Sequence, residues 1–121
     1  MPSTIMIVDD SPSMRMLLRT ALADMGYHVV DAEDGEQALE RIVGVDADLL
    51  ITDINMPRLD GFGLIERLRG EGRWRSLPIL VLTTESSDEK KARARAAGAT
   101  GWIVKPFDPD KLAAAIRRVL H

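Results

Sequence analysis

The chain of 121 residues contains no cysteine, which excludes disulfides, thiol catalysis and Cys-zinc sites. That absence suits a reducing compartment, and a cytoplasmic protein is the expectation. There is also no surplus of one charge. Sixteen basic and nineteen acidic side chains leave a net charge of −3, which gives no electrostatic footprint for nucleic acid or a membrane surface. Long apolar runs are missing as well. The first one, Ile5 to Val8, stops after four residues at the acidic pair Asp9 and Asp10, so it makes neither a signal peptide nor a membrane span. Internal repeats, low-complexity stretches and linkers are absent. A chain of this length fits one domain over residues 1–121, with connections too short to hide a second, and a monomer is the expectation.

What is present is a regular alternation. Ile5 to Val8 reads as a buried strand, and Ser11-Pro12 then offers an N-cap and a first helical position. Met14, Leu17, Leu18, Ala21, Leu22 and Met25 repeat at helical spacing and predict one inward stripe, ended by Gly26. A less apolar strand follows from Tyr27 to Val30, and then a helix lined by Ala38, Leu39 and Ile42. The stretch from Asp48 to Gly61 is central: Leu49-Leu50-Ile51 makes a strand apolar on both faces, and it runs into Asp53, with Pro57 and Gly61 turning the chain beyond. A helix over about 62–69 comes next, with Leu64, Ile65 and Leu68 inward. A loop over 70–78 then leads to Ile79–Leu82, and a strand over about 100–104 precedes a final helix carrying Leu112, Ile116, Val119 and Leu120. Between these last two strands, residues 86–97 predict a helix whose apolar side chains are all alanines, so it buries little area and packing holds it weakly. Strand and helix alternate five times, the pattern of an α/β domain with a parallel sheet covered on both faces.

Right-handed crossovers bring the carboxyl ends of all strands to one edge, where ligands of open α/β sheets bind. Four strands deliver polar groups there: Asp9 and Asp10, Asp53, Thr83 and Lys105. Singly, each has an ordinary explanation. Asp9 or Asp10 can cap a helix, Thr83 suits a strand and Lys105 can be solvated. It is their matching position at strand ends that points to a shared site. Carboxylates about 4 Å apart repel by roughly 1 kcal/mol in water and about four times that near a protein surface, so three of them call for a cation. Oxygen ligands without His or Cys favour a hard ion such as Mg²⁺, whose open positions accept phosphate oxygens. Lys105 and the Thr83 hydroxyl would complete a phosphoryl-binding shell. Trp74, between Arg73 and Arg75, reads as loop packing; His28 and His121 have no spacing that suggests metal or catalysis.

Val-Asp-Asp at 8–10, Asp53 with Met-Pro at 56–57 and Asp-Gly at 60–61, Thr83, and Lys-Pro-Phe at 105–107 together resemble the receiver domain of two-component response regulators. The resemblance runs in register along essentially the whole chain. It is closest to the single-domain, CheY-like chemotaxis members, through residues 9–15, Asn55 to Pro57, Leu77-Pro78 and Ala97 to Gly101.

The resemblance implies a (βα)5 flavodoxin-like sandwich with a five-stranded parallel sheet in the order 2-1-3-4-5. It implies that Asp53 is the nucleophile taking a phosphoryl group from a phosphohistidine on a sensor kinase of the chemotaxis type. Asp10, Asp53 and the Asn55 carbonyl would bind one Mg²⁺, with Asp9 assisting. Lys105 would pair with the phosphoryl group, and Thr83 would swing toward it; Pro106 would follow a cis bond. The output would be docking on a flagellar motor switch protein or another partner, through a face that includes the 86–97 helix and the last strand and helix. The family usually carries Tyr or Phe where this chain has Trp102, so Trp102 is either a gate in the switch or a packing residue. Asn55 and Glu85, two residues beyond Asp53 and Thr83, are expected to set the dephosphorylation rate.

On this reading the chain is a signalling switch, not an enzyme on other substrates. A variant of the same reading is a phosphate sink that drains a shared kinase. A second class, aspartyl-phosphate phosphatases of the haloacid-dehalogenase type, needs an Asp two residues after the nucleophile, where this chain has Asn55. Flavodoxin-like cofactor binding ranks last, because the acids after the first strand would repel a flavin phosphate.

Overall fold

The computed structural model describes residues 2–120; His121 lies outside the described residues. Among the described residues the strands are β1 (Thr4–Val8), β2 (His28–Ala32), β3 (Leu49–Thr52), β4 (Ile79–Thr83) and β5 (Gly101–Val104). They alternate with helices α1 (Pro12–Asp24), α2 (Gly35–Ile42), α3 (Gly61–Arg69), α4 (Asp88–Ala97) and α5 (Pro109–Val119). All neighbours pair in parallel, in the order β2-β1-β3-β4-β5. This is the CheY-like flavodoxin order that the resemblance implies.

Period-two alternation along the central strands splits the core into two layers. Met6, Val8, Leu50, Ile79 and Val81 face one side of the sheet, against Ala38 and Ile42 of α2, the α3 residues Phe62, Leu64, Ile65 and Leu68, and Ala94 of α4. Ile5, Ile7, Leu49, Ile51, Leu80 and Leu82 face the other side, against Leu18 and Leu22 of α1 and Leu112 and Ile116 of α5. Because β1, β3 and β4 are covered on both faces, their carboxyl ends are held rigidly at one edge.

Several details differ from the expectation. Leu17 does not join the α1 stripe: it is 58% exposed, while Leu18 and Leu22 are buried. Successive helical residues turn by about 100°, and in α1 that rotation carries Leu17 to the solvent side while Leu18 faces the sheet. β2 starts at His28 rather than Tyr27 and runs on to Ala32, because its pairing with β1 continues through Val8. The segment 70–78 contains a single 3-10 turn, Gly72–Trp74, which buries Trp74 in the core.

Ser87 caps α4, accepting from the Lys90 amide, and Ala94 is the one buried residue of that helix. The poor apolar anchoring read from the sequence is therefore present, but arginines supplement it. The Arg93 guanidinium lies 4.0 Å from the Phe62 ring centroid. Arg69 of α3 donates to the Gly98 carbonyl from Nε at 3.1 Å and Nη2 at 2.8 Å, tying down the left-handed C-cap of α4.

Candidate functional site

The loops beyond β1, β3 and β5 begin by prolonging the ladder. The amide of Asp9 donates to Ala32 O at 3.1 Å, that of Asp53 to Val8 O at 2.9 Å, and that of Lys105 to Thr83 O at 2.8 Å. The side chains therefore leave from backbone that is still fixed by the sheet. Lys105 Nζ donates to Asp9 Oδ2 at 2.7 Å and to Asp53 Oδ2 at 2.8 Å, a single ammonium bridging two carboxylates. The other oxygens are also engaged: Asp9 Oδ1 accepts from the Ser11 amide at 2.9 Å and Asp53 Oδ1 from the Ile54 amide at 2.6 Å. Asp9 is 1% exposed and Asp53 8%, whereas Asp10 is open to solvent. The peptide bond between Lys105 and Pro106 is cis, as the resemblance implies.

Burial disfavours the Lys105 ammonium, but the Asp53 and Asp9 carboxylates outweigh it and hold its pKa above the ordinary lysine value. The lysine is therefore a fixed positive charge. Oxygens of Asp9, Asp10 and Asp53 all lie within 4.8 Å of one another. Three carboxylates against one ammonium leave two negative charges in one cluster. The donors are all oxygen, with no His or Cys among them. A hard divalent cation fits this set in both charge and ligand type.

Gly61 explains how Asp53 is seated. Its amide donates to Ile54 O at 2.9 Å, and Asp60 caps α3 by accepting from the Gly63 amide. A Cβ on Gly61 would lie 2.3 Å from the Asp53 carbonyl oxygen and 2.8 Å from Ile54 Cα. The start of α3 is thus packed against the acidic residue's own backbone, an approach open only to glycine.

The remaining candidates form a second group beside the first. Asn55 Nδ2 donates to Glu85 Oε1 at 3.1 Å, and Lys90 Nζ pairs with the same oxygen at 2.9 Å. The Lys90 ammonium, with help from the Asn55 amide, holds the Glu85 carboxyl below the usual carboxylate range. Trp102 Nε1 donates to the Glu85 carbonyl at 3.0 Å, while its ring packs partly buried against the core. The buried Thr83 hydroxyl receives a long contact from the Glu85 amide, 3.4 Å. Asp9, Asp10, Asp53 and Lys105 are therefore brought together directly, and Asn55, Thr83 and Trp102 meet at Glu85.

Three features escaped the sequence reading. Lys90 stands in the first turn of α4, and its place three residues after the cap Ser87 is a usable signal. Asp34 is 1% exposed, caps α2 by accepting from the Gln37 amide, and holds Arg58, whose Nε lies 2.8 Å from Asp34 Oδ2. Arg58 reaches it from a left-handed backbone conformation, φ 68°, which no sequence pattern announces. Arg69, the last residue of α3, joins the ends of two helices through the Gly98 carbonyl.

The family model described as the response regulator receiver domain matches residues 5–117. The chemotaxis protein CheY1 of Helicobacter pylori is 37% identical over 118 residues, covering 96% of this chain and 95% of that protein. The structure of the chemotaxis protein CheY4 of Vibrio cholerae superposes with a TM-score of 0.95 at 42% identity, over 99% of this chain and 100% of that one. The receiver domain of a sensor histidine kinase from Pseudomonas aeruginosa PAO1, whose structure has a magnesium ion coordinated in the active-site cleft, gives a TM-score of 0.91 at 26% identity, over 99% and 98% of the two chains. With its fold order, its acidic edge and these likenesses, the chain belongs to the response regulator receiver domain family.

Proposed function

We propose that this chain is a phosphorylation-controlled switch that accepts a phosphoryl group on Asp53 from the phosphohistidine of a chemotaxis-type histidine kinase. The observation that carries the proposal is the single Lys105 ammonium held between Asp9 and Asp53, two of the three carboxylates whose oxygens lie within 4.8 Å of one another. In the transfer an Asp53 carboxylate oxygen bonds to phosphorus, the P–N bond to the kinase histidine breaks, and the imidazole leaves with that electron pair. Lys105 is placed to neutralise the phosphoryl oxygens as they arrive.

Asp10, Asp53 and the Asn55 carbonyl would hold Mg²⁺, with Asp9 supporting; the ion in the Pseudomonas receiver domain supports this reading. When bound, the ion supplies charge neutralisation and orients phosphate oxygens. The chain catalyses only its own phosphorylation and dephosphorylation. Thr83 and Trp102 carry the change to the α4–β5 surface, where α4 is loosely packed and a few kcal/mol suffice to shift it. Coverage of almost the full length of a chemotaxis relative supports an output of the same type, such as docking on a flagellar motor switch protein. No helix among the described residues is long and apolar enough to cross a membrane, and a cytoplasmic monomer is the proposed state.

The test is phosphotransfer from a phosphorylated chemotaxis kinase with Mg²⁺, followed by binding to a motor switch protein. Wild type should take label and bind more tightly, whereas Asp53→Asn should do neither. Label retained by Asp53→Asn would refute the assignment of the acceptor. Efficient transfer with no change in motor binding would favour the phosphate-sink variant.

A further inference from the structure

Lys90 occupies a position where helix chemistry argues against it. Ser87 is the N-cap of α4, so Lys90 is the third helical residue and lies in the first turn. The positive end of the helix dipole disfavours a cation there, and Glu or Gln at that position would complete a capping box with Ser87. The chain does place acids at Asp88 and Glu89, just ahead of it. The lysine is accounted for by what it touches: its ammonium lies 2.9 Å from Glu85 Oε1, the same oxygen that Asn55 Nδ2 reaches at 3.1 Å. A single carboxylate oxygen is therefore clamped between the loop after β3, which carries Asp53, and the first turn of α4.

We propose that Lys90 is a positioning residue for dephosphorylation, fixing the Glu85 carboxylate so that Glu85 and Asn55 together orient the attacking water. This rests on the proposed phosphorylation of Asp53. In that hydrolysis the water oxygen bonds to phosphorus, the P–O bond to the Asp53 carboxyl breaks, and the carboxylate leaves with the electron pair. Inorganic phosphate departs and the surplus proton goes to solvent. Lys90 touches none of the reacting atoms. Without it, Glu85 keeps one side-chain bond, to Asn55, and its carboxylate samples other rotamers.

The test phosphorylates the full chain with acetyl phosphate and MgCl2, removes the donor, and follows the phosphorylated fraction by intact mass. An exposed ion pair contributes a modest amount, so Lys90→Ala should lengthen the half-life roughly two- to fivefold. Lys90→Arg, which keeps the cation, should stay close to wild type. In a Glu85→Ala background, Lys90→Ala should have no further effect. Urea melts should show Lys90→Ala at least as stable as wild type, because alanine is the better residue for that helical turn. An unchanged or shorter half-life overturns the inference, and so does an equal effect without Glu85. Wild type that takes no phosphoryl group would instead refute the proposed function, and this inference with it.

Discussion

Gly61→Ala is the substitution in which fold and site are least separable. The added Cβ would sit 2.3 Å from Asp53 O, 2.8 Å from Ile54 Cα and 2.9 Å from Ile54 Cδ1. Cβ contacts below 3.0 Å are essentially never seen, so the nearest atom must retreat by at least 0.7 Å. That atom is backbone, and it belongs to the residue whose carboxylate defines the site. Overpacking of this kind costs about 2–3 kcal/mol. With an unfolding entropy of about 2.1 cal/mol/K per residue, a chain of this length should lose about 8–12 °C in Tm. A displacement approaching 1 Å at a positioned nucleophile also costs about 100-fold in rate. Urea denaturation and acetyl phosphate labelling read the two effects separately. A variant within 0.5 kcal/mol of wild type, labelled at the wild-type rate, would refute the claim that the α3 start seats Asp53.

Lys105→Met removes the ammonium that bridges two nearly buried carboxylates lying within 4.8 Å of each other. In Mg²⁺-free buffer the variant should be about 3 kcal/mol less stable by urea melt, and MgCl2 should restore part of the loss; no difference between the two buffers would argue against the charge account. Asp34→Ala deletes the α2 cap and the acceptor for Arg58, and should cost about 1–2 kcal/mol by the same measurement. Burial pushes the Asp34 pKa up, but the Gln37 amide and Arg58 outweigh it and hold it below its ordinary value of 3.8. Its contribution is therefore fully present above the unfolded-state pKa and lost as pH falls through the lowered one, so acid titration of Asp34→Asn should show a flatter fall in stability than wild type.

The central strands and the acidic edge were legible because they depend on local rules. Apolar runs such as Leu49-Leu50-Ile51, short and bounded by polar residues, fit a strand covered on both faces, and parallel crossovers then fix which ends meet. The placement of Leu17 was not legible, since an apolar residue one step from the inward stripe fits the periodicity and still faces solvent. The Arg58–Asp34 pair depends on a left-handed residue, and the Arg69 and Arg93 contacts on the distance between α3 and α4. None of these leaves a spacing in the chain. Lys90 is intermediate: the cap at Ser87 was readable, and the oddity of a cation at its third position becomes informative only once Glu85 is seen opposite.

The account depends on the acids of two loops and the ammonium of a third forming one divalent-dependent phosphoryl site. Intact mass after incubation with acetyl phosphate measures this directly, with MgCl2 or EDTA, on wild type and Asp53→Asn. The account predicts one added phosphoryl group in wild type with MgCl2, and none in either the EDTA sample or Asp53→Asn. An unmodified wild type in MgCl2, or a modification that persists without Asp53 or in EDTA, would contradict it.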